Sequence, residues 1–112
     1  MSNPVIKVVS YVNEYTLAPL LYGMEEEEIP FEIIDLDSDC DLCQAAYQAS
    51  VQSSLSVGLA INRSHAILHY RNLPENEPLF EIDIQNVLEV MKLGTNAARL
   101  VKGIPFKSLG EI

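Results

Sequence analysis

The sequence predicts a small single-domain α/β protein, built on a mainly parallel sheet with helices packed on its faces. Three observations point there. The chain has 112 residues, 48% of them hydrophobic, enough to bury one core and too few for two. Short β-branched runs alternate with longer stretches of helical period in the order strand, helix, strand, helix, strand, which calls for right-handed crossovers between parallel strands. No internal repeat or low-complexity linker divides residues 1–112, so one domain is expected over all of them.

The elements follow in chain order. "VIKVVSYV" (5–12) is a β-branched run suited to a buried strand. "TLAPLLYGMEEE" (16–27) has helical period, with Thr16 as N-cap and Pro19 tolerable because it then lies in the first turn. "PFEIIDL" (30–36) is the second strand. After the capping cluster "DSD", a helix covers 40–52, its Ala45, Ala46 and Ala49 forming a small face that can lie close to a sheet. "LSVGLAI" (55–61) and "HAILHY" (65–70) are strands joined by "NRS", short enough for a hairpin. A proline-bounded crossing (72–83) leads to a helix over 84–93 stopped by Gly94, and a last short helix (96–102) is stopped by Gly103 and Pro105.

Charge narrows the function. Seven Lys and Arg against sixteen Asp and Glu leave a net charge of -9, which repels phosphate backbones and anionic lipid heads. Nucleic acid is excluded as a partner. The N-terminus has neither a basic leader nor a small-residue cleavage site, and no stretch approaches a membrane span; a cytoplasmic protein without a membrane partner is expected. The charge is also polarised. Between Lys7 and Arg63 there is no Lys or Arg but there are ten acids, whereas Lys92, Arg99, Lys102 and Lys107 crowd the C-terminal segment.

The chemistry-bearing residues are few. Cys40-Asp41-Leu42-Cys43 has the spacing of a dithiol redox centre near a helix N-terminus. Asp37, Asp39 and Asp41 crowd it with negative charge that raises a thiol pKa, so two ordinary helix cysteines are the plainer reading. His65 and His69 would complete a Cys2His2 set, but on one strand they stand roughly 13 Å apart at about 3.3 Å per residue. One zinc ion cannot bind both. The five glycines form no phosphate loop, so the isolated chain is expected neither to bind nor to hydrolyse ATP. No nucleophile sits in a recognisable elbow. A binding module, not an enzyme, is expected.

One stretch resists a purely structural reading. In "LYGMEEEEIPFEI" (21–33), Glu25 to Glu28 sit at a helix C-terminus, where the dipole disfavours negative charge. At roughly 100° per residue, Leu17, Leu20, Leu21 and Met24 form an apolar stripe and Glu26 points almost directly away from it. Tyr22 shares that outward side, and Gly23 leaves room for another surface to come close. These residues make a partner-docking patch whose carboxylate can meet an arginine or a hard cation such as magnesium. A solvated acidic helix end is the blander alternative. Arg99 and Lys102, three apart on the last helix, are expected to meet acidic groups on a partner or on this chain's own first half.

"YGMEEEEIPF" (22–31) resembles the L-x-G-I-E-E-E-G-I-P-F stretch of the small subunit of glycerol and diol dehydratase reactivases. Two further blocks agree in order, "ILHYRNLPENEPLF" (67–80) and "GTNAARLVKGIPFKSL" (94–109), so that the resemblance covers about a third of the chain. It implies a Rossmann- or flavodoxin-like domain similar to the medium subunit of the dehydratase. It also implies a non-catalytic partner of a large ATPase subunit, in a chaperone-like reactivase that releases damaged cobalamin from coenzyme B12-dependent dehydratase by subunit exchange. The family's middle glutamate is a magnesium ligand shared with the large subunit, which maps to Glu26, with Tyr22, Gly23, Arg99 and Lys102 as the rest of the interface. The setting implied is the cytoplasm, with bacterial microcompartment association left open. Glu28 stands where the family has glycine, so a non-glycine residue is expected at the helix's C-terminal turn. The alternatives are a medium-subunit-like piece of the dehydratase itself and a thiol redox module on Cys40 and Cys43.

Overall fold

A computed structural model describes residues 4–36 and 40–109. Its five-stranded sheet has the order β2-β1-β3-β4-β5, with β1 (Ile6–Ser10) parallel to both β2 (Phe31–Ile34) and β3 (Val57–Ile61). β4 (His65–Tyr70) and β5 (Phe80–Asp83) add in antiparallel fashion. The parallel half and the β3–β4 hairpin are as expected. The fifth strand is additional and makes the sheet evenly mixed. Its four residues obey the period of two, with Phe80 and Ile82 half-buried and Glu81 and Asp83 exposed, but the flanking Pro74 and Pro78 read as a crossing.

Alternation along the strands divides the core. Ile6, Val8, Leu59, Ile61 and Leu68 face helices α1 (Glu14–Glu26) and α3 (Val87–Lys102), whereas Val9, Ala60 and Ile67 face α2 (Leu42–Gln52). The small face of α2 does what its composition suggests: Ala45, Ala46 and Ala49 are fully buried, and a Cβ on Gly58 of β3 would stand 2.3 Å from the Ser50 nitrogen.

Two helix boundaries differ from expectation. Asn13, not Thr16, caps α1, its side-chain oxygen accepting from the Thr16 amide at 2.9 Å. Pro19 therefore lies beyond the first turn, and the Tyr15 carbonyl it cannot serve belongs to the exposed side of the helix, within reach of water. The cap of α2 is Asp41, in a reciprocal capping box with Gln44; the "DSD" cluster lies outside the described residues. The larger difference is α3, one helix where two were expected. Gly94 does not stop it, because this glycine is buried where α3 crosses α1. Gly103, at φ 71°, ends it.

The end of α1 is closed by a residue ill suited to the task. The Glu28 amide donates to the Glu25 carbonyl at 3.0 Å and the Ile29 amide to that of Met24 at 3.2 Å, the two bonds of a Schellman motif. Glu28 consequently sits at φ 61°, where a side chain costs energy that glycine avoids. Glu28→Gly is expected to stabilise the chain by about 0.5–1 kcal/mol, net of the added freedom of the unfolded chain. A urea midpoint that rises with unchanged slope would show it; a falling midpoint would mean the side chain holds something there.

Candidate functional site

The four carboxylates do not share one fate. Glu27 is turned toward α3, where Lys102 Nζ donates to its Oε1 at 2.9 Å and to its carbonyl oxygen at 3.0 Å. Arg99 Nη2 lies 3.5 Å from its Oε2. The hydrogen bond from Lys102, aided by the charges of Lys102 and Arg99 and opposed by desolvation, holds the Glu27 carboxyl below the usual carboxylate range. Of the two kinds of acidic partner foreseen for Arg99 and Lys102, the structure has the one within the chain. Lys102 also relieves the helix end, since its ammonium sits on the carbonyl of Glu27, the C-cap residue of α1, where a cation is favoured. The isolated base of the first half is used in the same way, with Lys7 of β1 paired to Glu32 of β2.

Glu25, Glu26 and Glu28 remain exposed. Glu26 is the last residue of α1, and no described side chain donates to it or pairs with it. Tyr22 is exposed one turn earlier. Gly23 does admit another surface, but that surface is α3 of the same chain: a Cβ there would stand 2.2 Å from the Met91 carbonyl oxygen. The outward patch therefore consists of Tyr22 and Glu26, with Gly23 beneath it, while Arg99 and Lys102 act on it from behind by anchoring Glu27.

Among the described residues no three His, Cys, Asp or Glu side chains are grouped to hold a metal. Glu26 can be one ligand of a shared ion and no more. Two of the residues that suggested redox or zinc chemistry, Cys43 and His69, have another use. Neither cysteine is in a disulfide, and burial, then the charges of Asp41, Glu81 and Glu75, pushes the Cys43 thiol up from its ordinary value. That disfavours the thiolate a redox centre needs. His65 is exposed and His69 fully buried. The His69 ring accepts from the Tyr70 amide at Nδ1 (2.9 Å), which leaves Nε2–H to donate to the Glu75 carbonyl at 2.9 Å. Cys43 Sγ donates to that same carbonyl at 3.2 Å. The pair staples the loop before β5 to the body of the fold, and Tyr47 packs edge-on against the His69 ring, 5.2 Å between centroids.

Asn96 was not foreseen as special. It is fully buried, accepting from the Lys107 amide at 2.7 Å and donating to the Lys107 carbonyl at 3.0 Å. With Arg99 donating to the Pro105 carbonyl and Phe106 edge-on to Phe80, it fastens residues 104–109 as a strap beside β5. An asparagine inside an otherwise Ala- and Leu-rich helical face was the available signal.

The chain can now be set beside known proteins. Residues 3–107 match the dehydratase medium subunit family. The chain is 44% identical to the propanediol dehydratase-reactivating factor small subunit of Citrobacter freundii, over 79% of this chain and 76% of that one. Identity to the protein of the same description from Salmonella typhimurium is also 44%, over 80% and 78%. A solved diol dehydratase-reactivating factor, complexed with ADP and Mg2+, superposes with a TM-score of 0.87 at 38% identity, covering 96% of this chain and 100% of that one. A glycerol dehydratase reactivase does so with a TM-score of 0.85 at 25% identity, covering 95% and 98%. No helix among the described residues is long and apolar enough to cross a membrane. Sequence and fold agree, and the chain belongs to the dehydratase medium subunit family, among the small subunits of diol and glycerol dehydratase-reactivating factors.

Proposed function

We propose that this chain is the non-catalytic small subunit of a reactivase whose large subunit carries the ATPase, and that Glu26 supplies one carboxylate to a magnesium ion whose other ligands come from that large subunit. The observation that carries the reading is the division of labour in the acidic run. Glu27 takes the two cations of α3, and Glu26 is left exposed and unengaged at the end of α1. A hard cation needs an oxygen ligand not already neutralised by a lysine or arginine. Magnesium would supply the charge that lets an acidic helix end approach another subunit.

The shared fold supports the mode of action. A chain matching the dehydratase medium subunit family presents a surface like the dehydratase's own, so a large subunit that binds one can bind the other in exchange. Such an exchange opens the dehydratase for release of damaged cobalamin, with ATP binding to the large subunit separating the two again. This chain's part is to occupy and then vacate the binding surface.

Single substitutions test the metal reading. Glu26→Gln keeps the shape and a neutral oxygen, and its effect on stability is expected within about 0.5 kcal/mol, as for surface changes. In pull-downs of the large subunit across a magnesium titration, this variant should bind more weakly and lose most of its magnesium dependence. Glu25→Gln should match the wild type. Glu27→Gln should lower the melting temperature of the chain, because it unhooks α3 from the end of α1, while keeping the magnesium response. Equal behaviour of all three would mean that the run acts only as a diffuse field.

A further inference from the structure

The outward face of α1 is apolar where a surface helix is ordinarily charged. Between Glu14 and Glu25 there is no charged residue, and Tyr15, Pro19, Tyr22 and Glu26 follow one another at steps of four, three and four residues along one side. Tyr15 is 91% exposed and Tyr22 59%. Opposite them, the first turn of α3 presents Val87 at 57% exposure. A groove runs between the two helices, walled by Tyr15, Pro19 and Tyr22 on one side and Val87 and Met91 on the other, and no charged side chain lines it. Large exposed side chains grouped in this way mark a binding surface more often than solvent-facing decoration.

We infer that this groove is the apolar anchor site of the large-subunit interface, filled by a hydrophobic side chain that the partner presents between flanking basic residues. The inference rests on the proposed Glu26 interface and extends it. Tyr22 belongs to both features, lining the groove and standing one turn from Glu26. From Tyr15 to Glu26 is about 16 Å along the helix, whereas one side of a standard interface covers about 800 Å2, a patch roughly 28 Å across. Both ends therefore fit under one partner. The rim gives the occupant's charge: Glu14 at one end of α1 and Glu25 and Glu26 at the other are exposed acids, complementary to basic neighbours of an apolar anchor. Affinity comes from the groove, and magnesium at Glu26 fixes register and makes the contact switchable.

Tyr15→Ser and Val87→Ser test this without adding charge and without touching Glu26. Both side chains are more than half exposed, so melting temperatures should stay near that of the wild type. Calorimetric titration of the purified large subunit, with magnesium and with a chelator, should show each variant weakened ~10-fold or more under both conditions. Glu26→Gln, by contrast, should lose only the magnesium-dependent part. Serine variants that bind as tightly as the wild type overturn the inference even when Glu26→Gln behaves as proposed. Serine variants that lose affinity while Glu26→Gln shows no magnesium effect uphold the groove and remove the metal reading. A wild-type chain that dimerises alone, with serine variants that become monomeric yet bind the large subunit normally, assigns the groove to a second copy and overturns the inference too.

Discussion

Gly94→Ala is expected to destabilise the chain by about 2 kcal/mol or more, even though alanine is the better helix former by nearly 1 kcal/mol. The Cβ it adds would stand 2.0 Å from the Leu20 carbonyl oxygen and 3.0 Å from its carbon. Both are backbone, so no flexible side chain can step aside. Gly23 is the reciprocal half of the contact, its would-be Cβ meeting the Met91 oxygen and, at 2.5 Å, the Thr95 nitrogen. To admit a methyl group α1 and α3 must separate, which loosens Leu20, Met24, Leu93 and Ala97, all fully buried. Thr95, whose hydroxyl spans to the Gly23 carbonyl at 3.4 Å, would lose that bond as well. The melting temperature should drop by about 10 °C for a domain of this size. Gly103→Ala is the control, with nothing within 4 Å of its Cβ and only a φ of 71° to strain, and should cost about 1 kcal/mol. If Gly94→Ala melts no lower than Gly103→Ala, the helices are not in the contact described.

The same residue shows where sequence reasoning stops. A glycine after ten residues of helical period reads as a C-terminal stop, and Gly103, seven residues after the next start, reads the same way. Only one of them is. The difference is tertiary: Gly94 is helical because a second backbone lies against it, and nothing in the local sequence announces the partner, Gly23, 71 positions earlier in α1. The strands and helices with strong periods, β1, β3, β4 and α2, were legible because burial on one face or both imposes the period directly. β5 was not, because two prolines outweighed four alternating residues.

The site was legible in part for a related reason. Helical geometry alone turns Glu26 outward, so its exposure could be read from the wheel. What the wheel cannot give is the pairing of Glu27 with Lys102 and Arg99, residues 75 and 72 positions away, which separates one glutamate from its neighbours. It also cannot give the Gly23–Gly94 crossing, which turns a residue reserved for a partner into one spent on the fold. The opposite charges of the two chain halves were the available hint, and they named the kind of contact without naming its members. The apolar outer side of α1 was legible too, as a helix lacking charge over its middle, but its groove required the packing of α1 against the start of α3, which no local signal gives.

Asn96→Leu is expected to release the C-terminal strap. Leucine keeps the branching of the asparagine side chain and fills the buried face of α3, but it cannot make the two hydrogen bonds to Lys107. Without them the amide and carbonyl of Lys107 face an apolar side chain, a desolvation cost of about 1–3 kcal/mol for each group left unpaired in place. Lys107 is exposed, and the cheaper course is for residues 104–109 to lift off and hydrate. That sacrifices the edge-on contact of Phe106 with Phe80 and the Arg99 bond to Pro105, a net loss of about 2 kcal/mol. Lifting the strap should also expose the chain to trypsin at Lys102 and Lys107, with cleavage there faster by ~10-fold or more, since proteolysis follows the population of the open state at about 1.4 kcal/mol per decade. The uncovered edge of β5, a four-residue strand with unpaired backbone groups on one side, should raise self-association as well. Mass spectrometry of a timed digest gives the readout. Wild-type cleavage rates at both lysines, together with an unchanged melting temperature, would mean that Asn96 clamps nothing and that Phe106 alone holds the strap.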